Sequence, residues 1–465
     1  MLSGITGISL AESASMLSSI QLVGGEKTKL NPQAFNMCGY AAPKLDKVRI
    51  GFIGLGNRGP AAVQRMNIIE GVVIKALCDI RPEKANAVKL SLEGSKHNPE
   101  TYSGGEEDWK KVCERTDIDL IYIATPWSMH TPMAVYAMSN GKHVCVEVPA
   151  AKTIDECWML VEASERNRKH CMILENCCYD FFEMLTLNMV RQGLFGEIVH
   201  GGGAYIHNLL QNNFSKTNYY DMWRLKENFR NGNLYPTHGL GPVAQAMNLN
   251  RGEKMDFLIS ASTMDFTMGN KLNELAGKDD FYKAFTNRAF RGNMNTTTIR
   301  TSAGRTIKLQ HDVSSPNVYS RIYEIVGTKG SVLKYPLPPR ISMGGEDWLG
   351  KEDFDELEKK YAPPIVTRIG QLAKQVGGHG GMDFVMDWRT IDCLRNGLPL
   401  DIDVYDAALW SSVAPLSEWS VANQSKPIEV PDFTRGSWNS NHPVDISLKE
   451  GGNTKVNVEE RRVPQ

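Results

Sequence analysis

The sequence contains no run of about 18 apolar residues, so no membrane-spanning helix is expected. Nor does it contain a cluster of lysine and arginine. With a formal net charge of −1, nothing draws it electrostatically to nucleic acid. CxxC and HExxH are both absent, so no metal-ligand spacing is present and no metal is expected. The nine cysteines are odd in number and scattered, which argues against a disulfide framework and for buried thiols. No internal repeat is found. What remains is an ordinary globular composition, 42% hydrophobic and 23% charged. The 465 residues allow two or three domains with large cores.

Residues 1–45 differ from the rest. MLSGITGISLAESASMLSS is mildly apolar and rich in Ser, Gly and Ala. It resembles the apolar and cleavage parts of an export signal without the charged beginning; a disordered arm is the alternative. From residue 46 to 176, apolar strands alternate with helical stretches: 47–53, 72–80, 120–126, 143–148 and 171–176 as strands, 60–70, 129–140 and 153–168 as helices. This alternation predicts an α/β fold with a doubly wound parallel sheet. From 177 to 438 the strands lengthen and often alternate in polarity, at 198–207, 257–266, 296–313 and 321–336, with GTKG (327–330) as a hairpin turn. Late helices are expected near 382–396 and 404–422. These features predict an α+β domain with a large, mostly antiparallel sheet. Residues 439–465 read as a polar, loosely held C-terminal tail.

Gly54-Leu55-Gly56-Asn57-Arg58-Gly59 fits GxGxxG, follows a strand and opens a helix, with Pro60 suited to the first turn. Asp79 stands 20 residues after Gly59 at the end of the next strand. The combination predicts a dinucleotide site: glycines admit the pyrophosphate, the helix N-terminus faces its charge, and Asp79 accepts from the ribose hydroxyls. A carboxylate there favours NAD over NADP, with Arg81 close by. The rest of the crevice should come from the carboxyl ends of later strands: Thr125 to His130, Glu147-Val148-Pro149 and Glu175-Asn176. Trp127 and His130 are candidate contacts, with a helix-cap role as the alternative for His130.

These residues carry a resemblance. GFIGLGNRG, the Ala124-Thr125-Pro126 segment, GKHVCVEVP and VGTKGS resemble the glucose–fructose oxidoreductase and inositol dehydrogenase superfamily. The dehydrogenases of that superfamily have Glu-Lys-Pro where this chain has Glu147-Val148-Pro149, so the usual proton-transfer lysine is replaced by Val148. The chain more closely resembles glycoside hydrolase family 109, the NAD-dependent α-N-acetylgalactosaminidases, over about residues 46–438. It shares the Trp127-Ser128-Met129-His130 turn, Met222-Trp223-Arg224-Leu225, Tyr235-Pro236-Thr237-His238-Gly239-Leu240-Gly241-Pro242 and His379-Gly380-Gly381-Met382-Asp383.

The resemblance implies hydrolysis of terminal α-N-acetylgalactosamine on a glycan or glycoconjugate. The NAD would be tightly bound and recycled each turnover through oxidation at C3, deprotonation at C2, loss of the C1 leaving group, addition of water and reduction. Tyr235 and His238, three apart and expected on one face of a helical turn, are the acid/base candidates. Tyr205, Arg224, Tyr235, His238 and Tyr319 are the implied substrate contacts. Glu147, Val148, Asn176, Trp127, His130 and Tyr235 join Gly54, Gly56, Asn57, Arg58, Gly59 and Asp79 as the implied cofactor contacts, with Tyr179 a neighbouring candidate. His379 either lines the site or caps the following helix. The family's export by a twin-arginine route implies a periplasmic location, but the arginine pair is not in this chain, and the cytoplasm is the alternative. The resemblance leaves room for a homo-oligomer. A sugar or cyclitol dehydrogenase and a non-catalytic NAD- or sugar-binding protein are the alternative functions.

Overall fold

The computed structural model describes residues 32–443 and 445–458. Six strands, β1 Val48–Ile53, β2 Val72–Cys78, β3 Glu100–Tyr102, β4 Leu120–Ile123, β5 His143–Val146 and β6 Cys171–Ile173, form a parallel sheet in the order β3-β2-β1-β4-β5-β6. β4, β5 and β6 are buried at every position, as expected of parallel strands covered on both faces. Helices α1 Gly59–Asn67, α2 Pro82–Leu90, α3 Asp108–Glu114, α4 His130–Ser139 and α5 Ile154–Asn167 make the crossovers. β2 and β4 flank β1 on opposite sides, so the chain switches direction there and leaves a crevice at the strands' carboxyl ends. β3 and α3 go beyond the sequence expectation. β3 is three residues at the sheet edge, too short to show a period.

The second sheet has eight strands: β7 Ile198–Ile206, β8 Met255–Ser262, β9 Asn295–Thr301, β10 Thr306–Asp312, β11 Tyr323–Gly327, β12 Ser331–Lys334, β13 Arg340–Ser342 and β14 Ile428–Glu429. Their order is β13-β12-β11-β7-β10-β9-β8-β14. Every pairing is antiparallel except β7 with β10. The GTKG turn closes β11 onto β12, with the Gly327 N–H donating to the Gly330 carbonyl at 2.9 Å.

Four further helices pack about the two sheets, α6 Phe181–Arg191, α7 Thr237–Ala246, α8 Met382–Asn396 and α9 Val404–Ala422, and α9 touches strands of both, β6 and β8. α9 is buried nearly all round, which suits its position between α5 and β8. Asp403 and Asp406 form its capping box, and buried Arg251 pairs with both at 2.8 and 2.6 Å. α8 returns to the first sheet, where Asp387 pairs with Arg65 of α1 at 2.6 Å. α7 crosses β7 so closely that a Cβ on Gly203 or on Gly239 would overlap the other residue's backbone. That crossing brings Tyr205 and His238 together, their rings edge-on with centroids 5.4 Å apart.

The chain ends are docked where they are described. Met37 is buried in the core, and Gln33 donates to the Tyr405 hydroxyl at 2.8 Å. The first 31 residues, with the expected signal remnant, lie outside the described residues. The described C-terminal residues, 439–443 and 445–458, are tied down rather than loosely held. Their polar groups bond the domain surface, with the Thr454 carbonyl accepting from Trp388 at 3.1 Å and Asn457 N–H donating to Ile68 at 2.8 Å. Among the described residues, no helix is long and apolar enough to cross a membrane.

Candidate active site

A cleft of about 770 Å³ runs from the carboxyl ends of β1 and β2 to the start of α7. Gly54, Gly56, Asn57, Arg58, Asp79, Trp127, His130, Glu147, Val148, Asn176, Tyr205, Arg224, Tyr235 and His238 all line it. Two of the expected site residues do not. Gly59 is buried in the turn, where a Cβ would overlap the Gly54 carbonyl oxygen, so its part is to let α1 leave β1 at close range. Tyr319 stands further out, edge-on to His207 with ring centroids 5.2 Å apart. His207 in turn lies 5.9 Å from Tyr205. Tyr179 turns away, its hydroxyl 3.2 Å from Asp401.

The nucleotide end fits a dinucleotide. Gly54 has φ +94°, and a Cβ there would come within 2.5 Å of the Ala124 backbone, so only glycine keeps this cradle open. Pro60 in the first turn of α1 has no amide to leave unpaired, and a helix N-terminus at this end of the crevice favours negative charge. Asp79 follows β2 directly. One carboxylate oxygen accepts from the Leu55 amide at 2.8 Å, the other from the Arg81 amide and Nε at 3.0 Å each. A carboxylate fixed in this way lies at the place where an adenosine ribose presents its hydroxyls.

His130 lines the cleft and also lies between two strand ends. Its Nδ1 lies 2.7 Å from the Pro149 carbonyl and its Nε2 2.8 Å from the Thr125 carbonyl. Burial lowers the ring's pKa, and a neutral ring donates to one of these two carbonyls, linking the ends of β4 and β5. Arg58 reaches across the crevice to Glu147 at 3.1 Å and to Asp383 of α8 at 3.3 Å. Asp383 also accepts from Asn176 and sits 2.9 Å from His379 Nδ1. Its carboxyl is held far below the usual range: burial opposes the charge, but the His379 hydrogen bond and the charges of Arg58 and Arg65 outweigh it.

A segment of the second domain, Thr217–Trp223, covers the adenosine end of the cleft. Asn57 Nδ2 donates to the Asn218 carbonyl at 2.7 Å, and the Arg81 guanidinium lies 5.3 Å from the Tyr220 ring centroid. Asn57 therefore holds a strap over the crevice as well as lining it.

At the other end, aromatic faces form a box. The Trp127 and Tyr235 rings stack at 5.6 Å, Tyr205 lies 4.5 Å from Tyr235, and His238 stands edge-on to Tyr235 at 4.9 Å. Tyr235 precedes α7 rather than sharing a helical turn with His238, because Pro236 caps the helix between them. The two rings meet all the same. Burial and the Tyr205 phenol push the Tyr235 hydroxyl well above its ordinary pKa, so it stays protonated at neutral pH. Arg224 lies 5.4 Å from Tyr219, 5.5 Å from Tyr235 and 5.8 Å from both Trp127 and Trp223. Burial opposes its charge, and the phenols of Tyr205, Tyr219 and Tyr235 lift its pKa above the usual value. This is a cation presented to the cleft among rings. Beneath His238, the buried Glu175 carboxylate lies 2.7 and 2.9 Å from Nδ1.

Sequence reasoning named Glu175, Trp223 and Asp383 within motifs but gave them no role, missed the strap, and left His379 undecided. Glu175-Asn176 at a strand end and the glycine-flanked HGGMD were the available signals. The strap had none, since its partners are remote in sequence.

Known proteins place these features. The model of the oxidoreductase family NAD-binding Rossmann fold matches residues 48–175, and that of the glycosyl hydrolase 109 C-terminal domain matches residues 179–440. Glycosyl hydrolase family 109 protein 1 of Bacteroides fragilis is 47% identical over 421 residues, 87% of this chain and 89% of that protein. A Bacteroides fragilis protein named alpha-N-acetylgalactosaminidase is 47% identical over 419 residues, 88% of this chain and 97% of that one. Among solved structures, levoglucosan dehydrogenase in complex with NADH and L-sorbose aligns with TM-score 0.62 at 17% identity, covering 83% of this chain and 100% of that one. Likeness at that identity shows the fold alone. The chain belongs to glycosyl hydrolase family 109, a glycoside hydrolase carrying an NAD-binding Rossmann domain.

Proposed function

We propose that the protein removes terminal α-N-acetylgalactosamine residues by oxidising the sugar ring for the length of one turnover. One observation carries the reading: the dinucleotide crevice opens onto Tyr235, His238 and Arg224 rather than onto two flanking carboxylates. The name of the 47%-identical relative supports the sugar. When bound, NAD supplies the hydride acceptor for C3 and the donor that restores it.

The chain's residues do the remaining work. The Tyr235 phenol hydrogen-bonds the C3 oxygen and relays its proton. With C3 a ketone, the C2 proton is acidic, and His238 accepts it at Nε2, the ring nitrogen that Glu175 leaves open. The C2–H electron pair becomes the C1–C2 double bond as the C1–O bond breaks and the aglycone oxygen departs with its electrons. Water adds its hydroxyl at C1 and its remaining proton neutralises the departed aglycone oxygen, His238 returns its proton to C2, and reduction at C3, with the relayed proton returned to the C3 oxygen through Tyr235, leaves net hydrolysis. Arg224 holds the acetamido carbonyl, and the rings of Trp127 and Tyr205 wall the sugar against the nicotinamide. Val148 packs beside the nicotinamide where a lysine would otherwise move protons. Loading of the nucleotide before export of the folded protein belongs to the same proposal.

The test is incubation with p-nitrophenyl α-N-acetylgalactosaminide without added NAD. Nitrophenol release with no build-up of reduced nicotinamide is expected. Dependence on bulk NAD, with stoichiometric reduced nucleotide, would instead make the protein a dehydrogenase.

In this reading the strap is what keeps the nucleotide in place between turnovers. Tyr220→Ala removes the ring under Arg81 and is expected to speed NAD release about five- to tenfold, read by exchange against a fluorescent NAD analogue. An unchanged release rate would remove the strap from the account.

A further inference from the structure

We propose that Glu175 is the positioning residue for His238: its carboxylate takes the Nδ1 proton, fixes the ring tautomer and aims Nε2 at the sugar. The inference rests on the reading of His238 as the group that moves the C2 proton.

Glu175 follows β6 and has no solvent exposure. It does not line the cleft, so it touches neither sugar nor nucleotide. Both of its oxygens lie within 3 Å of His238 Nδ1, at 2.7 and 2.9 Å, and one also accepts from the Cys177 amide at 3.1 Å. α7 makes room for it. At Gly241 a Cβ would come within 2.8 Å of Glu175 Cγ and 3.2 Å of the Trp410 ring, so a side chain there would displace the carboxylate. A fully buried carboxylate is costly to desolvate and persists only with a partner. Its partner here, His238, also stands edge-on to Tyr235 and Tyr205 of the aromatic box. Burial opposes the charge of Glu175, yet the His238 ring and the Cys177 amide hold its carboxyl below the ordinary range, so it is ionised at neutral pH.

The consequence for proton transfer follows from the geometry. With Nδ1–H given to Glu175, the lone pair of the neutral ring is on Nε2, on the cleft side. When Nε2 takes the C2 proton, the ring becomes an imidazolium and Glu175 neutralises it without becoming protonated. The Cys177 thiol lies close enough to complete a three-ligand metal geometry with this pair. Burial pushes that thiol well above its usual pKa, so without a metal ion it is a thiol.

The experiment uses the full-length protein with its nucleotide. Nitrogen-15 spectra of the histidine rings, with the His238 signals assigned by their loss in His238→Ala, are expected to show Nδ1 protonated in the wild type. A ring carrying its proton on Nε2 alone overturns the proposal without recourse to any Glu175 variant. Glu175→Gln is expected to lower kcat about 10²- to 10⁴-fold, leave KM within about threefold, keep the nucleotide bound and move the His238 proton to Nε2. Glu175→Asp, with the carboxylate drawn back, should recover part of the rate. In the His238→Ala background, Glu175→Gln should change the residual rate by less than about twofold, because its effect passes through the ring. A full-sized further loss there, or a Glu175→Gln protein with near wild-type kcat, overturns the proposal. Wild-type cleavage of the nitrophenyl glycoside reports on the reaction and the ring tautomer reports on Glu175, so either can fail alone.

Discussion

Replacing His238 with alanine is expected to lower kcat by about 10²- to 10⁴-fold while the nucleotide stays bound. The size follows from removing the one open proton acceptor in the aromatic box. Tyr235 is a poor substitute base, since burial and Tyr205 keep it a phenol. Retention of the nucleotide follows from where its cradle lies: Gly54 and Gly56 belong to the turn from β1 into α1 and Asp79 follows β2, not α7. A cost in stability is expected too. Alanine strands the buried Glu175 carboxylate, and breaking a buried pair from one side costs about 3–5 kcal/mol. His238→Gln separates the two effects, because its amide can still donate to Glu175. It should regain most of the lost stability and almost none of the rate. Solvent deuterium exchange at C2 of the sugar should stop in both variants. A rate within tenfold of wild type in either, or continued exchange at C2, would take His238 out of the proton path.

How far the sequence reached depended on the range of the interactions. The β1 turn into α1 is written locally in an apolar run, three spaced glycines and a proline, and it was legible. So were the bounds of α8 and α9, where Gly397 ends one helix and Asp403 with Asp406 caps the other. β3 was not legible, because three edge residues carry no period. The site was legible as a set of residues and less so as a set of roles. Nothing in Trp127-Ser128-Met129-His130 shows that two carbonyls from different strand ends will lie against the two nitrogens of His130. Nothing in Glu175-Asn176 shows that the carboxylate will meet a ring 63 positions later. The strap is the extreme case: its contact to Asn57 spans 161 positions. Tyr319 was placed by resemblance and stands one ring further out than a direct member of the box.

The largest effect on the nucleotide is expected from Gly59→Ala. The new methyl would overlap the Gly54 carbonyl oxygen, come within 3.0 Å of the Gly54 carbonyl carbon and lie 3.3 Å from Leu55 Cδ2. Two of these atoms are backbone and cannot rotate aside, so the turn between β1 and α1 must open. Opening it moves the cradle at Gly54 and the amides at the start of α1 together, which are the two parts that meet the pyrophosphate. The purified variant should contain no nucleotide, bind added NAD at least about 10²-fold more weakly, and lose about 1–3 kcal/mol of stability from overpacking. Gly56→Ala is the informative contrast. Its methyl would meet only the tip of Arg81, 3.3 Å away, and would point into the cleft. The fold should therefore survive unchanged in a urea titration while the close approach of the pyrophosphate is lost. Nucleotide content by acid release and unfolding midpoints separate the two cases. If Gly59→Ala came off the column fully loaded with NAD, the close turn would not be what holds the dinucleotide, and the crevice would have to grip it from the strap side alone.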